Sequence, residues 1–95
     1  MFVVLLRFSE SKFKAPDFIE GHNAWIRKGV EDGAFIVVGS LQPNAGGAVI
    51  VHGMSLTDLE ERVCQDPFVA ENIVKAEILE ITPNTTDSRL EFLQD

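Results

Sequence analysis

The sequence predicts an α+β domain in which a four-stranded antiparallel sheet carries two helices on one face. Three observations point there. The chain has 95 residues, enough for one core and not two. Short Val- and Ile-rich runs recur on either side of two helix-length amphipathic stretches. Pro, Asn and Gly cluster between the second and third apolar runs, as a hairpin requires.

Phe2 to Phe8, rich in Val and Leu, reads as the first strand, and Ser9 to Pro16 as a polar loop. Asp17 followed by Glu20 resembles a capping box, with Pro16 blocking an earlier start. That helix runs to about Asp32, where Gly33 stops it. Ala34 to Leu41 is the second strand, Gln42 to Gly47 a turn, and Ala48 to His52 the third strand. Ser55 and Asp58 open a second helix, which ends before Pro67 because the residue preceding proline avoids helical geometry. Ile73 to Ile81 alternates as a fourth strand. Pro83 breaks the chain, and Ser88 to Asp95 reads as a short last helix capped by Ser88 and Glu91. Residues 1–83 thus form the domain and residues 84–95 a tail. Right-handed crossovers put both helices of this βαββαβ order on one side of the sheet, the ferredoxin-like arrangement.

The strands are apolar on both faces. Phe2, Val4, Leu6 and Phe8 oppose Val3 and Leu5. Phe35 and Val37 oppose Ile36 and Val38, and Ala48 and Ile50 oppose Val49 and Val51. Two helices on one side cannot cover both sets, and a bare apolar sheet face is a liability in water. An isologous homodimer, sheet against sheet, solves this; the tail folding back over the open face and a different partner are the other solutions.

Apolar residues make up 45% of the chain and charged residues 24%, the balance of a globular protein. The net charge of −7, with no basic run among eight Lys and Arg, argues against nucleic acid as a partner. Cys64 is the lone cysteine, which leaves no internal disulfide and suits the cytoplasm. Met1 to Arg7 lacks a basic lead-in and is broken too early by Arg7 for a signal peptide, and no apolar run reaches membrane-spanning length.

The chemistry turns on His22. At about 100° per residue it shares a helix face with Phe18, Trp25, Ile26, Gly29 and Val30. A core histidine satisfied by a neighbour is the plain reading of such a position. The topology offers more. Arg7, His22, Ser40 and Asp66 arrive at the same end of the sheet from four elements, beside the Gln42–Gly47 loop, in the usual outline of a ligand pocket. An aspartate accepting from a histidine fixes its tautomer and prepares it as a general base or acid. The plainer readings stay open: Asp66 as a helix stop before Pro67, Ser40 as a strand-end hydroxyl, Arg7 as a snorkelling edge residue. His22 and His52 belong at opposite ends, so no shared metal is expected, and no Walker loop, dinucleotide fingerprint, HExxH or CxxC implies a cofactor. Cys64, near the apolar side of the second helix, reads as a small core residue, and Trp25 as core.

His22 on the first helix, then Glu31-Asp-Gly-Ala-Phe-Ile-Val-Val-Gly-Ser40-Leu, Gly47-Ala-Val-Ile-Val and Asp66-Pro-Phe-Val-Ala70, together resemble the YciI (YCII-related) family. The resemblance runs from Met1 to about Pro83. It implies a dimeric α/β barrel and an active-site His-Asp pair carried by His22 and Asp66. Some relatives act in the degradation of halogenated aromatics, and the fold is shared with muconolactone isomerases and small monooxygenases. The expectation is a cofactor-free lyase or isomerase acting on a small, aromatic or enol-forming acid. His22 moves the proton, Asp66 orients it, and Ser40 or Arg7 holds a ligand oxygen. The alternative is a non-catalytic dimer that binds a small molecule or docks on an enzyme, with the tail as docking helix or as a bridge between dimers.

Overall fold

A computed structural model describes residues 1–94, so the expected helical end at Asp95 lies outside the described residues. The elements are β1 (Phe2–Phe8), α1 (Ala15–Glu31), β2 (Phe35–Leu41), β3 (Gly46–Val51), α2 (Leu56–Cys64), α3 (Pro67–Ala70) and β4 (Val74–Glu80), with 3₁₀ segments at Lys12–Lys14 and Ser88–Gln94. The sheet order is β2-β3-β1-β4, all pairs antiparallel, which is the ferredoxin-like topology.

Register explains the core. Phe2 pairs with Val51 and Val4 with Val49 on one edge of β1, and Val4 with Ile78 on the other. These residues share the helix-bearing face, where they join Trp25 of α1, Leu59 and Val63 of α2 and Phe68 of α3 in one core. Each large apolar side chain buried there contributes about 1.5–3 kcal/mol. Gly29 is buried, and a Cβ there would overlap the Phe35 ring, so only glycine lets α1 lie this close to the sheet. Trp25 is core, as expected: its ring meets Phe35 edge-on at 5.0 Å, and its Nε1 donates to the Arg62 carbonyl at 2.8 Å, tying α1 to α2.

Several local expectations give way. α1 starts at Ala15, ahead of Asp17, because Pro16 fits the first turn, where its missing N–H has no helical partner to lose. Asp17 sits in that turn, favourably placed for the helix dipole, and no side chain caps the helix. Val30, assigned to the apolar stripe, is half exposed. Cys64 is exposed, not core: Leu59 and Val63 fill the inward positions of α2, and the next residue points about 100° away. The Ser55 cap forms as expected, its hydroxyl accepting from the Asp58 amide at 3.1 Å. In the tail, Asp87 and not Ser88 takes the capping role, accepting from the Arg89 amide at 2.9 Å.

The alternation in β2 is also reset. A bulge between Phe35 and Val37 shifts the register, so Val37 pairs with Ile50 and Val38 with Val49. Phe35 therefore faces the helices, but beyond the bulge Val38 and Ser40 do so, and Val37 and Gly39 turn to the open face. That open face carries Val3, Leu5, Ile50 and the exposed Val37 and Leu79. No helix among the described residues is long and apolar enough to cross a membrane.

Candidate active site

Asp66 is the only charged or polar side chain that is fully buried among the described residues. Its backbone is extended, as a residue before proline prefers, and it caps α3: Oδ1 accepts from the Phe68 amide at 3.0 Å. The same oxygen lies 2.8 Å from Nδ1 of His22. One carboxylate thus starts a helix and holds an imidazole. Its other oxygen, Oδ2, is buried without a protein partner.

His22 is fixed from two more sides. Its ring stacks on the Phe68 ring, with the two planes 4° from parallel and the centroids 4.0 Å apart. Trp25 stacks more loosely at 6.1 Å. The approach of α3 to α1 depends on Gly21, where a Cβ would come within 3.0 Å of Pro67 Cγ. Because Oδ1 already accepts from Phe68, the pair has Nδ1–H donating to the carboxylate. That leaves Nε2 as the acceptor nitrogen, with no hydrogen-bond partner among the described residues.

His22 lines a cavity of about 330 Å³ between α1 and the helix-facing side of the sheet. Leu6, Val49, Ile26, Phe68 and Val74 supply apolar walls, and Asn23 and Ser40 are the other polar side chains. Ser40 reaches this space because of the β2 bulge; in unbroken alternation with Phe35 it would face away. Opposite it, Gly47 leaves the floor open, since a Cβ there would meet only the Gly39 carbonyl, at 3.4 Å. Gly46 adopts φ 130° and passes so close to the Leu6 carbonyl that no side chain fits.

The structure therefore brings His22, Asp66 and Ser40 to one site and leaves Arg7 out. Arg7 follows Val3 and Leu5 onto the open face, where its Nη1 pairs with Glu77 Oε1 at 2.6 Å. It is half exposed and does not line the cavity. His52 sits at the end of β3, its ring edge-on to Phe92 at 5.1 Å. No group of three or more His, Cys, Asp or Glu able to hold a metal forms among the described residues. Sequence reasoning missed Asn23 and the stacking role of Phe68. Asn23 had a signal, standing between Ile19 and Ile26 at helical spacing, one residue from His22. No protein-family model matches the chain, and no curated protein matches it.

Proposed function

We propose that this protein is a small lyase- or isomerase-type enzyme, in which His22 and Asp66 transfer a proton on a small, aromatic or enol-forming acid. The observation that carries the reading is the 2.8 Å His22–Asp66 contact at the wall of a cavity, with the imidazole edge opposite the carboxylate left free. Nε2 takes a proton from the ligand, whose bonding pair moves into an enolate or a new double bond. Asp66 holds Nδ1–H and stabilises the imidazolium. In an isomerisation the proton returns to a different carbon. In an elimination a β-substituent leaves with its electron pair and the proton passes to water. Ser40 holds a ligand oxygen. These steps need no redox partner, so the reading includes no cofactor.

The same reading includes membership of the YciI family and a homodimer closed through the open sheet face into an α/β barrel. Val3, Leu5, Ile50, Val37 and Leu79 on that face support it. A non-catalytic binding or accessory module is the second reading, favoured by Leu90 and Phe92, exposed on the tail, where they suit a docking surface or a bridge between dimers. Screening for ligand-induced thermal stabilisation with small carboxylic acids and phenols gives a starting compound. A His22→Ala variant that folds but no longer turns that compound over supports the enzyme. Unchanged turnover in His22→Ala removes it.

A further inference from the structure

The cavity chemistry also constrains the charge of its ligand, on the reading that this cavity is the ligand site. None of the described residues lining it is Lys, Arg, Asp or Glu. Its polar groups are the neutral side chains of Asn23 and Ser40 and the His22 imidazole. Behind His22 lies the Asp66 carboxylate, fully buried, with Oδ2 unpartnered and no Lys or Arg paired with it among the described residues. Such a charge is poorly screened, and it opposes a second negative charge in the same low-dielectric space. The imidazole, with Nδ1–H committed to Asp66, presents an acceptor and calls for a donor.

We propose that the acid this cavity takes is an uncharged one, a phenol or an enol-forming compound that donates a hydrogen bond to His22 Nε2, and that carboxylate anions of the same shape are rejected. Asn23 and Ser40 hold the remaining polar atoms of that ligand, and the apolar walls take its hydrocarbon part.

The charges around His22 support this. α3 contributes Asp66, and the strands lining the cavity contribute uncharged residues such as Leu6, Phe8, Val49 and Val74. α2 turns Leu59 and Val63 inward. Lys12 comes to this end of the sheet, but its ammonium stands over the Phe8 ring, 4.6 Å from the centroid, and the residue is exposed. Water and salt screen it there.

Benzamide and benzoate form the test pair, since they share a shape and differ in charge and in N–H donation. Each is titrated into the full chain, with the His22 ring signals followed by NMR. Benzamide is expected to perturb His22 and to bind at least about tenfold more tightly than benzoate. Asn23→Ala and Ser40→Ala each weaken benzamide severalfold, and Lys12→Gln leaves the preference unchanged. Tighter binding of benzoate than of benzamide, with or without its collapse in Lys12→Gln, overturns the proposal and leaves the ligand cavity standing. Failure of both compounds to perturb His22 overturns the proposal together with the reading of this cavity as a small-molecule site.

Discussion

Pro67 packs against Gly21 so closely that a single added methyl would stand 3.0 Å from its Cγ. This contact sets the distance between α1 and α3, and with it the distance between His22 and the residue before Pro67. The hydrogen bond from His22 to Asp66 therefore depends on a glycine that bears no chemistry of its own.

Gly21→Ala tests that dependence. Alanine raises helix propensity by about 1 kcal/mol, while crowding against the proline ring costs about 1–3 kcal/mol. Overall stability is expected to fall by no more than about 2 kcal/mol in urea denaturation. The site should change more than the fold. The His22 Nδ1 proton signal should shift towards that of a weaker hydrogen bond and exchange faster with solvent.

Asp66→Asn separates charge from shape. The amide oxygen can still accept from Phe68 and His22, but the amide nitrogen then occupies the place of Oδ2, where the protein offers no acceptor. Leaving those donors buried costs about 1–3 kcal/mol, measurable as a lower urea midpoint. Asp66→Ala should be worse, because the α3 cap, worth about 1 kcal/mol, is lost as well. Equal stability in wild type and Asp66→Asn would mean that a water already serves that corner.

Much of this architecture was legible. Arg7 was expected at the site because β1 ends there, but it shares strand parity with Val3 and Leu5, and the structure puts it with them on the open face. The Ser55–Asp58 cap followed from turn chemistry, and element order brought His22 and Asp66 to one end of the sheet, while their pairing was implied by the family resemblance. The β2 bulge was not legible, because Phe35, Ile36, Val37 and Val38 are all apolar and nothing in their pattern marks which residue goes unpaired. Ser40 therefore reaches the cavity by a register shift that no periodicity reveals. Nor was the Phe68 stack, since the direction of so short a helix is set by its cap and not by a repeat.

The Asp32–Arg62 pair makes a pH prediction. The Arg62 guanidinium, 3.0 Å from Asp32 Oδ2, holds the aspartate below the usual carboxylate range, with Lys28 adding to it from 3.6 Å. A carboxylate whose folded pKa is lowered binds fewer protons than the unfolded chain. Its stabilising effect is present above the unfolded value of about 3.9 and is lost as pH falls through the lower folded value. Asp32→Asn should flatten the stability curve in that acidic window and leave it nearly unchanged at neutral pH. Because the pair is exposed, the difference between the two curves should shrink in about 1 M salt, where the screening length is about 3 Å.

The proposed dimer has its own probe in Leu5. Its side chain lies on the open face of a central strand, between Ala48 of β3 and Glu77 of β4, away from the core that supports the fold. Leu5→Asp puts a carboxylate in the middle of the surface that a second copy would cover. Burying that charge without a partner costs several kcal/mol per protomer, so dimer affinity should fall by about three orders of magnitude or more. In water the monomer escapes this cost, because the residue is then solvated; repulsion from Glu77 opposite it costs up to about 1 kcal/mol, and far-ultraviolet circular dichroism should be unchanged. Sedimentation equilibrium at micromolar concentration should therefore show wild type at twice the chain mass and Leu5→Asp at the chain mass. A wild-type chain that sediments as a monomer removes the sheet-to-sheet dimer, and an undisturbed dimer in Leu5→Asp moves the interface to another face.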